Sequence, residues 1–123
     1  MHSTLSWFEI PAVDLPRATS FYEAILQEPL RRERFGEADI SIFRAEEPGV
    51  AGALVLSATM KPGNEGTRVY LNANGKLDEV LTRVASSGGK VLLGKTSIGE
   101  PGFIAVIEDT EGNHVGLHAE AVR

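Results

Sequence analysis

The sequence contains no cysteine, which excludes disulfides, thiolate metal sites and a cysteine nucleophile. It has no apolar run approaching the length of a membrane span, and its opening stretch, "MHSTLSWFEIPAVDLPRATSFY", lacks a basic start followed by a long apolar segment. These absences predict a soluble, cytoplasmic protein with no membrane partner. Positive charge is also scarce: 12 Lys and Arg stand against 17 Asp and Glu, a formal charge of -5 at pH 7. A general nucleic-acid binder needs a basic footprint, so nucleic acid is not an expected partner. The 123 residues are enough for one domain with a core of its own and no covalent staples.

What is present is an ordered alternation of elements. "LSWFEIPAV" alternates like a half-buried strand, and "DLPRATSFYEAILQ" then reads as a helix. Asp14 is placed to cap it, a proline falls in its first turn, and Leu15, Ala18, Tyr22, Ile25 and Leu26 recur at helical spacing. Three short strand-like runs follow, "LRRERF", "DISIFRA" and "GALVLSA". The stretch "TMKPGNEG" reads as a linker. The pattern then begins again with a strand, "TRVYLNA", and a helix, "NGKLDEVLTRVASSGG". That helix has Leu77, Val80, Leu81 and Val84 on one face and a glycine pair at its end. "KVLLGKT", "GFIAVIED" and "NHVGLHA" complete it. Strand, helix, strand, strand, strand occurs twice, an internal repeat of a βαβββ unit. The boundaries are about 4–58 for the first unit, 59–66 for the linker and 67–119 for the second, all within one α+β domain.

Two of the three histidines, His114 and His118, stand in His-x-x-x-His spacing. On a helix that spacing points both imidazoles at one zinc ion. Here it follows the turn-forming "DTEGN" and contains Gly116, which predicts a strand. Four residues along a strand separate the two Cα atoms by about 13 Å, too far for an ordinary shared metal. The third, His2, is expected to lie in a mobile terminus. "GKTSIGEPG" lacks a strand-to-helix context, so it reads as a flexible rim and not as a phosphate loop.

The strands that open and close each repeat sort their residues into two faces. Phe8, Ile10, Leu54, Leu56, Val69, Leu71, Val115 and Leu117 form an apolar face suited to packing against the helices. The opposite face collects Trp7, Glu9, Arg68, Tyr70, His114 and His118. An ordinary solvent face favours Lys, Glu, Thr and Ser, whereas this mixture resembles the wall of a ligand-binding cleft. In that cleft Trp7 and Tyr70 are suited to stack on a planar or apolar ligand, and Arg68 to hold an anion or oxygen. Glu9 is placed to act as a base or to pair with Arg68, and either histidine to move protons near neutral pH.

Two segments, "WFEIPAVDLPRATSFYEAIL" and "SSGGKVLLGKTSIGEPGFIAVIEDTEGNHVGLH", together with the repeat, resemble the vicinal-oxygen-chelate superfamily. That superfamily includes lactoylglutathione lyase (glyoxalase), bleomycin-resistance proteins and extradiol dioxygenases. The resemblance implies a curved mixed sheet in each unit, the two forming a cup-shaped partial barrel with the helices outside. It also implies a homodimer, which the apolar "SWF" start and short edge strands suit.

The resemblance further implies one divalent metal, held by His, Glu or Gln on the first and last strand of each unit. Those positions fall on Trp7, Val55, Arg68 and Gly116, none of which suits such a site. No metal and no other cofactor is therefore expected, and no recognisable spacing supports a relocated site built from Glu9, His114 and His118. Two functions remain. One is a metal-free protein that binds a small organic molecule in its cup. The other is a metal-independent lyase or isomerase acting on a small carbonyl or aromatic substrate.

Overall fold

A computed structural model of the protein describes residues 4–47 and 49–121; His2, expected in a mobile terminus, lies outside them. The chain runs through two successive βαβββ units. Strand β1 (Trp7–Pro11), helix α1 (Leu15–Leu26) and strands β2 (Arg31–Phe35), β3 (Ala38–Ile42) and β4 (Ala51–Leu56) make the first. Strand β5 (Tyr70–Asn72), helix α2 (Leu77–Val84) and strands β6 (Lys90–Ser97), β7 (Phe103–Glu108) and β8 (His114–Ala119) make the second. Each unit forms its own four-stranded mixed sheet, in the orders β1-β4-β3-β2 and β5-β8-β7-β6, and no closed barrel results. Among the described residues, no helix is long and apolar enough to cross a membrane.

Local chemistry explains the element ends. Asp14 accepts a hydrogen bond from the Arg17 backbone N–H at 3.0 Å and starts α1, with Pro16 in the first turn where its missing N–H costs nothing. All five residues read as the buried face of α1 are buried: Leu15, Ala18, Tyr22, Ile25 and Leu26. In the second unit α2 runs on through a 3-10 turn (Ala85–Ser87) and stops at Gly88, whose φ of 104° is open to glycine at little cost. Strand β5 is shorter than the seven residues expected. Its register, Tyr70 opposite Gly116, would set Thr67 beside Asn113. The backbone of Asn113 is already committed to Asp109 on both sides, through Asn113 N to Asp109 Oδ1 and Asp109 N to Asn113 O, each at 2.9 Å. The β5–β8 ladder itself runs through the even-numbered residues of β8, beginning where Gly116 N donates to the Val69 carbonyl at 2.8 Å.

One continuous core runs through both units, because the helix-facing residues of the two sheets meet around α1 and α2. Phe21, Tyr22 and Ile25 of α1, Val80 and Val84 of α2, and Leu54, Ile107, Val115 and Leu117 of the sheets are fully or almost fully buried in it. Tyr22 stands edge-on to Phe21 and to Phe43, with ring centroids 4.9 and 5.4 Å away. Pairs of that kind add about 0.5–1.5 kcal/mol each beyond area burial.

Polar groups tie the units together at the turn between β7 and β8. Tyr22 donates to Asp109 Oδ2 at 2.8 Å, and the Asn113 side-chain amide donates both to Asp109 Oδ2 at 3.0 Å and to the Pro11 carbonyl at 2.7 Å. Burial, reinforced by the Asp109 carboxylate, holds the Tyr22 hydroxyl well above the ordinary phenolic range, so it stays a donor. Beside this network the Glu111 side chain, with none of its surface exposed, reaches back to the start of α1. It accepts from Val13 N and Asp14 N at 2.8 Å each and from Arg17 Nε at 2.8 Å.

The Glu111 clamp makes stability depend on pH. Burial pushes its carboxyl up, but the bonds from Arg17, Asp14, Val13 and Thr110 outweigh that and hold its pKa below the ordinary 4.5. A group lowered on folding contributes stability that is fully present above pH 4.5 and is lost as the pH falls through its folded-state pKa. Glu111→Gln keeps the shape and removes the charge. Urea unfolding at neutral pH is expected to show a loss of about 1–3 kcal/mol, narrowing as the pH drops below 4.5. A pH-independent difference would contradict the assignment.

Candidate functional site

Strand phase decides which side chains are available for chemistry. The residues read as the apolar face (Phe8, Ile10, Leu54, Leu56, Val69, Leu71, Val115 and Leu117) all belong to the helix-side core or pack against it. The alternate residues of β1 and β5 point away from it. Trp7 and Tyr70 are 41% and 44% exposed, enough for both rings to meet a ligand. Glu9 is exposed and accepts from the Trp7 indole at 3.2 Å. Arg68 is exposed in the segment just before β5, while His114 and His118 are half-buried in β8.

Other contacts divide this set. Among the described residues, Glu9 and Arg68 form no ion pair with each other. His114 Nε2 pairs with Glu108 Oε1 at 3.2 Å on the opposite strand, and His118 Nε2 donates to the Pro101 carbonyl at 2.7 Å. The two imidazoles sit on a strand, as expected, and each serves its own neighbour. Pro101 lies in the "GKTSIGEPG" stretch, so that segment does border His118.

The helix-free face also has an apolar floor that the sequence reading overlooked. Ile40, Ala53 and Val55 form a second buried cluster, with Ile40 directly opposite Val55, and Met60 of the linker packs on it. The signal was available: Ile40 and Ile42 on β3 face Val55 and Ala53 across the ladder, a second apolar stripe out of phase with Leu54. Farther along, the linker is also anchored to the second unit, Gly63 N donating to Asn113 Oδ1 at 3.0 Å.

The four positions that the resemblance assigns to metal ligands do not fit a metal. Val55 is buried in the apolar floor, Trp7 offers an indole ring and Arg68 a cation. At Gly116 the space for a side chain is already filled, since a Cβ there would fall inside the Tyr70 ring. Among the described residues, no three His, Cys, Asp or Glu side chains gather into a cluster that could hold a metal ion.

A cavity of about 570 Å³ opens elsewhere, at the seam between the units and among side chains of the helix-side core. Of the six site residues read from the sequence, only Tyr70 borders it.

The ring over Gly116 yields a test. Gly116→Ala is expected to destabilise the protein by about 1–3 kcal/mol, because the added methyl must displace Tyr70 or the strand. In a Tyr70→Ala background the same change is expected to cost much less, giving a coupling energy in a double-mutant cycle measured by denaturant unfolding. Additive effects would mean that the ring does not occupy the glycine's space.

The chain was compared with known proteins by sequence and by structure. The family model described as the Glyoxalase/Bleomycin resistance protein/Dioxygenase superfamily matches residues 4–117. No curated protein matches the sequence. Among solved structures, a glyoxylase/bleomycin resistance protein/dioxygenase domain from Frankia sp. EAN1pec superposes with a TM-score of 0.74 at 15% identity, covering 98% of this chain and 99% of that one. A glyoxalase/bleomycin resistance protein from Albidiferax ferrireducens T118 gives 0.71 at 17% identity, covering 96% and 100%. The genomically encoded fosfomycin resistance protein FosX from Listeria monocytogenes gives 0.66 at 17% identity, covering 100% and 95%. At such identities these likenesses concern the fold, while the family model spans nearly the whole chain. The protein belongs to the glyoxalase/bleomycin resistance protein/dioxygenase superfamily.

Proposed function

We propose that this protein binds a small organic molecule in the cytoplasm, on the helix-free face of its sheets, and does so without a metal. The observation that carries this reading is the Tyr70 ring lying on Gly116, an aromatic surface where the fold's usual chemistry needs a ligand. Trp7 supplies a second exposed ring on β1, and the floor of Ile40, Ala53 and Val55 continues the apolar surface. Arg68, with no ion pair among the described residues, supplies the group for an anionic or carbonyl end of the ligand.

A metal-independent lyase or isomerase is the second reading. It rests on Glu9, whose exposed carboxylate is bonded to the Trp7 indole and is engaged in no ion pair among the described residues. The histidines favour it less, since Nε2 of each is already committed.

Two copies are proposed to associate through the edge of the second sheet. Strand β6 is exposed along all eight of its residues, and Val91, Leu92 and Leu93 are each about two-fifths exposed. The corresponding edge of the first sheet, β2, carries Arg31, Arg32 and Arg34 instead, the kind of charge that discourages pairing. Register breaks between Val91 and Leu93 and between Leu93 and Thr96 bend β6. A contact through its side chains therefore suits it better than a continued ladder.

Protein purified from its native cells and analysed by native mass spectrometry is expected to carry a small organic molecule and no stoichiometric divalent metal. Trp7→Ala and Arg68→Ala are each expected to weaken rebinding of that molecule, the latter by about 1–3 kcal/mol for a charged hydrogen bond, with unchanged thermal stability. About one equivalent of zinc, nickel, manganese or iron would overturn the reading. Sedimentation at micromolar concentration is expected to give a dimer that Leu92→Lys dissociates; a monomeric wild type would remove the assembly.

A further inference from the structure

The seam cavity meets the helix-free face only at Tyr70, which borders both, and its chemistry is different. Its walls are side chains of the core itself: Phe8 and Phe43 from the first sheet, Leu26 and Leu30 from the end of α1 and beyond, and Val69 and Leu71 from the second sheet. A volume of about 570 Å³ falls in the range of small-molecule sites, roughly 300–1,000 Å³. The part of this space bounded by rings and aliphatic chains favours an apolar group.

The mouth is polar: it carries the carboxylates of Glu28 and Glu46, the cations of Arg44 and Lys76 and the amides of Asn72 and Asn74, with Arg44 bonded to Glu46 at 3.3 Å. The Glu28 carboxylate stands between Arg44 of the first unit at 3.8 Å and Lys76 of the second at 3.9 Å. Both separations exceed the hydrogen-bonding range of about 2.7–3.2 Å. Among the described residues, the Lys76 ammonium makes no hydrogen bond, although its side chain is only 32% exposed. The amide oxygens of the two asparagines at the mouth already accept a bond each: Asn72 Oδ1 takes the Asn74 backbone N–H at 2.9 Å, and Asn74 Oδ1 takes the Glu120 backbone N–H at 2.6 Å. Those bonds fix the amide orientation and leave both NH₂ groups as donors without a protein acceptor among the described residues. On the Lys76 side of the mouth, an ammonium and two amides next to the apolar walls match an occupant with an acceptor-only, anionic end that competes with the carboxylates for the cations.

We propose that the seam cavity is a second binding site, for an amphipathic monocarboxylate of the medium-chain fatty acid or arylalkanoic acid class. The apolar body lies against Phe8, Phe43, Leu26, Leu30 and Leu71. The carboxylate sits at the mouth and accepts from Lys76, Asn72 and Asn74, competing with Glu28 for the cations. The site does not depend on the function proposed for the helix-free face.

Calorimetric titration of the full chain with decanoate, and with decanol as the neutral counterpart, tests this. Decanoate is expected to bind one per chain. Lys76→Gln is expected to weaken it about 10-fold or more, the scale of one charged hydrogen bond, and to leave decanol unchanged. Glu28→Gln is expected to tighten decanoate several-fold, because it removes the competing carboxylate; a merely structural role for Glu28 would not do so. Leu30→Trp, which fills the cavity, is expected to abolish binding of both compounds. If that variant does not fold, the two mouth variants decide alone. Absence of decanoate binding overturns the proposal, as does equal affinity for decanoate and decanol with no effect of Lys76→Gln. Binding that survives Leu30→Trp but is lost in Trp7→Ala would place decanoate on the helix-free face, and would overturn this proposal without touching the other.

Discussion

Asp109 is the residue on which the arrangement of the two units depends. Its two carboxylate oxygens accept four hydrogen bonds: from the backbone N–H groups of Glu111 and Asn113, from the Asn113 amide and from the Tyr22 hydroxyl. The first two shape the turn between β7 and β8. The Tyr22 hydroxyl ties that turn to α1, and the Asn113 amide, bonded to Asp109 within the turn, carries the connection on to the end of β1. The side chain of Asp109 is buried, with all of these donors satisfied by short bonds, so the site specifies one arrangement and penalises others. The "D-x-x-G-N" ending is therefore a joint. Its aspartate and asparagine hold the second unit against the first, and Glu111 between them clamps the start of α1.

Once the units are joined, the alternation of the strands divides the molecule into two sides. A shift of one residue in any strand would move its whole apolar set to the wrong face, so register is strongly specified. The same packing device then appears on both sides. Phe8 lies on Gly52 across the β1–β4 pair, and Tyr70 lies on Gly116 across the β5–β8 pair. Matching Ile10 opposite Leu54 with Leu71 opposite Leu117 shows that the two ring–glycine pairs are one residue out of step. Phe8 consequently joins the core, while Tyr70 faces away from it. The repeat has kept its geometry and exchanged the chemistry of its two halves.

This division explains what was legible in the sequence. Phe8 to Ile10 and Val115 to Leu117 could be assigned to a face because period-two patterning follows directly from pleat geometry. α1 could be read to its cap because Asp14 and Pro16 act locally. The histidine pair could be dismissed as a zinc site because Gly116 and the preceding turn made a strand. What patterning cannot supply is the identity of partners distant in the chain. Nothing near His118 indicates the Pro101 carbonyl, and nothing near Glu9 indicates that Arg68 stands apart from it. The seam cavity was invisible for the same reason, since each of its walls reads as ordinary core.

The seam itself follows from the joint. Asp109, Asn113 and Pro11 draw the units together at one end of β1, while Phe8 and Leu5 at its other end border open space. The helices meet and fill the middle of the core with Phe21, Tyr22 and Ile25 against Val80 and Val84. α1 stops at Gln27, in a left-handed conformation with φ of 57°, before its last turn can cover the far end. A fold assembled from two equivalent units needs one firm contact to fix their relation, and the distance from that contact is where space remains. Here that space is lined by both units and ringed by Glu28, Arg44 and Lys76, which come from both as well. A molecule held there would touch each half of the repeat, so its binding would favour the joined arrangement that Asp109 specifies.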